Sequence, residues 1–397
     1  MITTSKRLDG IGEYYFSTKL REIDELNSRG KKVINLGIGS PDLPPHPEVI
    51  EVLQQESQKP NVHAYQGYRG SLILRKAISD WYKQWYGVDV DANSEILPLM
   101  GSKEGIVHVC MSYFDRGDRV FVPDPGYPTY SSAVRLSGAE PVYYSLKEET
   151  SYFPDFTELK KIIDGLGKGR IKAMFINYPH MPTGQLPTRE LFSQLVAFAY
   201  ANDLLLIHDN PYSFILNSSP MSLLSIPGAK NVVIELNSLS KSHNMAGWRL
   251  GMLLATQQRL DEILRFKSNM DSGMFLPIQL AGAKALSLGT AWYEKLNDIY
   301  RARREKAFAL LDQLACRFER NQAGMFVWAK IPDNYPDCYA ISDEILYNAG
   351  VFVTPGGIFG NAGARYIRVS LCTPEEKFLE SSNRILDFQA RKNLENV

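Results

Sequence analysis

Five segments of the chain carry side chains that can do chemistry, and each sits where an apolar run ends or a helical pattern opens. The richest is 238–251, Ser-Leu-Ser-Lys-Ser-His-Asn-Met-Ala-Gly-Trp-Arg-Leu-Gly, directly after a predicted buried strand at 232–236. Lysine is almost never buried without a partner. At the carboxyl end of a strand, where α/β sheets keep their ligands, the Lys241 amine can form a Schiff base with an aldehyde cofactor. Arg249 offers a planar fork suited to phosphate, and Ser238 and Ser240 add hydroxyls to the same anion. In 204–212, Asp209 ends an apolar run. A buried carboxylate needs a cation or donors, and a protonated pyridine nitrogen is such a cation. Tyr212 follows three positions later, within reach of a phenolic oxygen on the same ring.

The other three segments are weaker. Gly101-Ser102-Lys103-Glu104-Gly105 opens an apolar helix, and its free backbone N–H groups make an anion cradle without the GxxxxGK[ST] spacing of a P-loop. Asp124-Pro125-Gly126-Tyr127-Pro128 presents an aromatic ring that can stack on a flat cofactor. In 364–370, strand alternation puts Tyr366, Arg368 and Ser370 on one face, where Arg368 can grip a carboxylate with two parallel hydrogen bonds. Taken singly, each segment also has an ordinary structural reading: a solvated loop, a turn-capping Asp, a strand-to-helix turn, a core tyrosine, a surface ion pair.

Positioning these groups requires a particular set of elements. Short apolar runs at 33–36, 96–100, 119–122, 141–145, 172–176, 204–208, 232–236 and 251–255 read as strands, several apolar on both faces as buried parallel strands are. Amphipathic helices lie between them. One is capped by Ser71 and carries Leu74, Ile78, Trp81 and Trp85 at spacings of three and four; another is capped by Thr188. This alternation predicts an α/β fold with a mostly parallel sheet. The last third reads differently: a long charged helix over 292–320, short strands near 326–331, 351–354 and 366–369, and a final helix from about 374 towards 391. That pattern predicts a smaller α+β domain.

The chain has 397 residues, with 44 Lys+Arg against 44 Asp+Glu, so no bulk basic field exists to draw in nucleic acid or an anionic membrane. Four cysteines stand far apart with no CxxC pair, which reads as free thiols in a reducing compartment. The N-terminus has no apolar core of signal-peptide length, and no apolar run approaches a membrane span. A soluble cytoplasmic protein is expected.

Together the segments NLGIGSPD, AYQGYRGSLILRKAI, GSKEG, PDPGYPTY, YPHMPTG, DNPY, SLSKSHNMAGWRLG and RYIRVSLC resemble, in order and rough spacing over nearly the whole chain, the fold type I pyridoxal-phosphate enzymes of the class I and II aminotransferases. GSKEG with PDPGYP looks like the branch containing LL-diaminopimelate aminotransferases. The resemblance implies a large cofactor-binding domain at 46–288 and a small domain at 289–397, completed by an N-terminal arm at 1–45. It implies pyridoxal 5'-phosphate held by Lys241 as an internal aldimine, with Lys241 later carrying the proton. Asp209 keeps the pyridine nitrogen protonated, Tyr212 bonds the phenolic oxygen, and Tyr127 stacks on the ring. Ser102, Lys103, Ser238, Ser240 and Arg249 hold the phosphate, with Tyr65 reaching the phosphate of a neighbouring subunit in a homodimer. Arg368 and the backbone around Gly39 hold the substrate α-carboxylate, and Tyr14 stands where the related branch places a substrate-contacting tyrosine. The implied partners are small molecules, an L-amino acid and a 2-oxo acid, exchanged by ping-pong transamination.

One position departs from the pattern. The family has Asn-Pro-Thr-Gly where this chain has Met181-Pro182-Thr183-Gly184, and methionine cannot donate the hydrogen bond that the asparagine gives the phenolic oxygen. His180 and Asn177 are the candidate replacements. His208, beside Asp209 on the strand, should point the other way and reads as a core histidine. A β-lyase of the same fold is the rival enzyme reading; a degenerate cofactor-binding regulator is the rival of another class, disfavoured because the whole constellation is present.

Overall fold

The computed structural model describes residues 2–167 and 169–395. Twelve strands occur among them: β1 Ile34–Asn35, β2 Ile96–Leu99, β3 Arg119–Asp124, β4 Glu140–Ser145, β5 Ile171–Asn177, β6 Leu205–Asp209, β7 Val233–Ser238, β8 Gly251–Leu254, β9 Phe326–Lys330, β10 Val351–Phe352, β11 Thr354–Pro355 and β12 Tyr366–Ser370. Seven form one sheet in the order β2-β8-β7-β6-β5-β3-β4. Only β8 runs against its neighbours; the other pairings are parallel. The continuous burial of β6 and β7 follows from this position: helices cover both faces, so the polar residues that do occur there, such as His208 and Glu235, are buried and pair with each other.

Two of the helices begin at caps that the sequence supplies. The Ser71 hydroxyl oxygen accepts from the Leu74 N–H at 3.2 Å and starts the helix Leu72–Tyr86, which Gly87 ends in the left-handed region at φ 65°. Thr188 starts Arg189–Asn202 in the same way, accepting from the Leu191 N–H at 3.0 Å. Apolar clusters fill both sides of the large sheet. A separate cluster lies around β9, β11 and β12, which form a three-stranded antiparallel sheet.

Two expectations need correction. The long helix runs Thr290–Gln313 and does not continue to 320. Ala315 takes φ 54°, and Arg317 pairs its backbone with Lys330, so the chain there has joined the edge of β9. The strand expected over 351–354 is divided: β10 pairs in parallel with β1, whereas β11 pairs with β12. The N-terminal segment thus shares a sheet with residues more than three hundred positions away. No helix among the described residues is long and apolar enough to cross a membrane.

Candidate active site

The carboxyl ends of β5, β6 and β7 bring Asn177, Asp209 and Ser238 side by side. Beyond Ser238 the chain turns into a short helix, Leu239–Ser242, so Lys241 stands on a helical turn and not in the open loop its serines suggest. The turn is held locally: the Ser238 hydroxyl donates to Ser240 Oγ at 2.7 Å and accepts from the Ser240 N–H at 3.0 Å.

Next to it opens an anion cup. Helix Ser102–Tyr113 starts at Gly101, which gives its first N–H groups no side-chain cap. Gly101 adopts φ +89°, and a Cβ there would fall 1.9 Å from Arg249 Nη2, so only glycine lets the guanidinium lie over this helix end. Arg249 is fixed from its own side by donating Nη1–H to the Ala246 carbonyl at 2.7 Å. The cup therefore combines free amides, a helix dipole, a guanidinium and the hydroxyls of Ser102, Ser238 and Ser240.

Asp209 lies at the floor, 5% exposed. Tyr130, stacked on Phe175 with ring centroids 4.8 Å apart, donates its hydroxyl to Asp209 Oδ2 at 2.8 Å. The other oxygen, Oδ1, is buried with no partner. Burial raises the Asp209 carboxyl to about 6, against the lowering effect of the Tyr130 hydrogen bond. Lys241 donates to the Gly39 carbonyl, and burial depresses its amine below the ordinary lysine range.

Arg368 forms the opposite wall. Its guanidinium lies 3.9 Å from the Phe326 ring centroid, 4.7 Å from Phe359 and 5.5 Å from Phe16. Nη2 donates to the Gly37 carbonyl at 2.7 Å, whereas Nε is buried with no partner. Burial lowers its pKa to about 10. A buried cation facing a cavity without a carboxylate partner is a site prepared for an incoming anion.

All these groups face one cavity of about 450 Å3. Tyr14, Gly39, Ser102, Lys103, Tyr127, Asn177, Asp209, Tyr212, Ser238, Ser240, Lys241, Arg249 and Arg368 line it. Tyr65 does not; it is 91% exposed on the surface. His208 turns away from the cavity, with Nδ1 3.0 Å from Glu235 Oε2. Met181 lines the cavity with its sulfur 3.4 Å from Arg368 Nη1. Of its two candidate replacements, Asn177 lines the cavity, tied to the Asp209 carbonyl and the Met181 N–H. His180 pairs with Thr183 outside the lining, and burial lowers its pKa to about 3.

Sequence reasoning missed Tyr130 and the aromatic cage of Arg368. Tyr130 stands one helical turn after Tyr127 in PDPGYPTY, a spacing that could have paired the two. Phe16, Phe326 and Phe359 carry no local signal, because they meet only through the fold.

The model of the family described as aminotransferase class I and II matches residues 31–384. The chain belongs to the class I and II aminotransferases. The LL-diaminopimelate aminotransferase of Aquifex aeolicus is 37% identical over 97% of this chain and 99% of that protein. Among solved structures, substrate-bound BacF from Bacillus subtilis aligns with TM-score 0.91 at 34% identity, covering 97% of each chain. An aromatic aminotransferase from Pyrococcus horikoshii aligns with TM-score 0.85 at 30% identity, covering 95% of this chain and all 100% of that one. This aminotransferase is pyridoxal-phosphate-dependent, and its cavity fits the cofactor. The orphaned Asp209 oxygen suits a protonated ring nitrogen, and the cup beneath Gly101 suits a phosphate.

Proposed function

We propose that Lys241 would hold the cofactor of this aminotransferase through its amine and that the same amine, when free, would take the α-proton of the substrate amino acid. Bound pyridoxal phosphate supplies the electron sink for that proton transfer. The depressed pKa of Lys241 favours the neutral amine that a base requires. Asp209 would hold the ring nitrogen with its unpartnered Oδ1, Tyr212 and Asn177 would serve the phenolic oxygen, and Tyr127 would stack on the ring. Ser102, Lys103, Ser238, Ser240 and Arg249 hold the phosphate. Arg368 holds the substrate α-carboxylate beside Gly39, with Tyr14 at the mouth. The single observation that carries this reading is the buried, unpartnered Asp209 oxygen in the same cavity as Lys241 and Arg368.

The working unit is a homodimer in the cytoplasm, in which the exposed Tyr65 reaches a neighbour's phosphate cup. A large domain at 46–288 carries the cup, and 289–397 with the arm at 1–45 carries the carboxylate clamp. Transamination is favoured over β-elimination because the curated relatives are named aminotransferases. The test is Lys241→Ala, which should lose the visible absorbance of the lysine-bound cofactor and nearly all transamination. Borohydride reduction of the native enzyme and peptide mapping should label Lys241; a label on another lysine overturns the assignment.

A further inference from the structure

The segment Asp124-Pro125-Gly126-Tyr127 gives its tyrosine to the cavity, while its aspartate has no part in the chemistry proposed above. Asp124 ends β3, and its backbone is fixed in the large sheet, its carbonyl accepting from the Leu146 N–H at 2.8 Å. Its buried carboxylate reaches across to the segment that follows β11. Oδ1 accepts from the Ala362 N–H at 3.0 Å, and the Asn361 N–H adds to the same carboxylate. Beside it, the Gly126 N–H donates to the Phe359 carbonyl at 2.8 Å. A Cβ on Gly360 would fall 2.1 Å from Asp124 Oδ1, and φ there is +134°, so only glycine lets the two segments close this far.

The segment held in this way connects β11 to β12. It contains glycines at 356, 357, 360 and 363, and a chain so rich in glycine gives up much conformational freedom when it is ordered. It also carries Phe359, whose ring lines the cavity 4.7 Å from the Arg368 guanidinium, with Phe326 the closer ring at 3.9 Å. Rings against a planar cation fix its plane, and that plane decides whether two parallel hydrogen bonds can reach a carboxylate. The end of a rigid strand thus orders a glycine-rich connection at the point where its one aromatic ring meets the substrate clamp.

We infer that Asp124 is a positioning residue for substrate binding: by holding residues 359–362 it sets the Phe359 ring, and through that ring the plane in which Arg368 meets the α-carboxylate. This rests on the placement of the α-carboxylate on Arg368 proposed above. It concerns a group that every amino acid shares, whatever a neighbouring subunit adds around the side chain.

The test compares variants of the cofactor-loaded enzyme. For each amino acid that the native enzyme converts, Asp124→Ala should raise KM ~10-fold, by one factor whatever the side chain, and leave kcat within about twofold. Asp124→Asn keeps an oxygen acceptor and should restore most of the loss. Hydrogen exchange read by mass spectrometry should speed up over 359–363 in Asp124→Ala and stay unchanged over 102–113. Gly360→Ala sets a methyl group against the carboxylate from the other side and should reproduce both effects in a protein that keeps Asp124, so the test stands even if Asp124→Ala does not fold. Unchanged exchange over 359–363 would overturn the inference, as would faster exchange with KM unmoved. A rise in KM that depends on the side chain would overturn it too, by placing the effect elsewhere in the cavity. Arg368→Met separates these failures from that of the reading beneath them. If it leaves KM unmoved, the placement of the α-carboxylate falls; if it raises KM steeply while Asp124→Ala does not, only the inference falls.

Discussion

Asp209 is held ready for a cation at a cost to the protein without its cofactor. Its carboxyl stands at about 6, against 3.8 for the free side chain. Between those values the folded protein keeps a proton that the unfolded chain has released. Stability therefore falls as pH rises through that window, and the penalty is fully present above it. Asp209→Asn removes the penalty and keeps an acceptor for Tyr130. The cofactor-free variant should be more stable than the parent at pH 8, by about 1–3 kcal/mol, and little different at pH 4. Its cofactor affinity should drop, because the ring nitrogen loses its counter-charge. Urea unfolding at the two pH values measures the first effect and fluorescence titration the second; equal stabilities at pH 8 would contradict the argument. Met181 is the second residue to probe. A donor beside the phenolic oxygen favours the form in which that oxygen holds its full negative charge, the deprotonated one. Met181→Asn should lower the pH midpoint of the visible band of the bound cofactor. A raised or unchanged midpoint would mean that Met181 does not stand beside the phenolic oxygen, or that another donor such as Asn177 already fills the place.

The elements act through how closely they approach one another. Gly251 puts β8 against the turn before helix Ser102–Tyr113, since a Cβ there would lie 2.6 Å from the Ser102 nitrogen. Gly101 does the same for Arg249. Gly101→Ala should push the guanidinium out of the cup and strain a left-handed backbone, destabilising by about 1–2 kcal/mol. Cofactor affinity should fall ~10-fold or more, in line with a lost charge-assisted contact to phosphate. Inorganic phosphate, used as a competitor, would show whether the loss lies in the anion cup; unchanged competition would refute it. A second link joins the long helix Thr290–Gln313 to the loop after β1. Arg303 donates to both Asp42 oxygens at 2.7 and 2.8 Å and to the Leu371 carbonyl at 3.0 Å. Arg303→Met leaves Asp42 without its partner and should cost about 2–3 kcal/mol. Because the loop also carries Gly39, KM should rise more than kcat falls. Thermal melts and steady-state kinetics check both, and an unchanged Tm would show that the link is dispensable.

At the scale of the whole molecule, the exposed Tyr65 has company. Tyr68, Leu72, Ile73, Met270 and Phe275 are also large and exposed. His63 stacks on Phe275, which brings the segment before Tyr65 against the one carrying Met270. A patch of this kind is expected to be covered, and a second copy of the chain is the proposed cover. Mixing Lys241→Ala with Tyr65→Ala subunits tests it. If Tyr65 serves the neighbouring site, each mixed dimer holds one site with both residues intact, and about a quarter of native activity should return after random reassortment. No recovery would place Tyr65 in its own subunit's site or outside any site.

What the sequence determined by itself is what neighbours along the chain decide. Ser71 and Thr188 start helices because a hydroxyl reaches N–H groups three residues on, and Asp209 ends a strand, with Lys241 just beyond the end of another, because apolar runs stop there. Gly101 and Arg249 were legible for the same reason, as residue types that suit an anion at a helix start. The tertiary structure decided what depends on distant segments closing on one another. Tyr130 finds Asp209 across 79 positions, and Arg368 finds its rings at Phe16, Phe326 and Phe359. Ala315 leaves the helix because Arg317 has a strand partner at Lys330 that local spacing could not announce. The orphaned oxygen of Asp209 belongs to this second kind. A carboxylate at a strand end is visible in the sequence, but whether its two oxygens are satisfied is settled only when the surrounding elements have excluded water and supplied, or withheld, a donor.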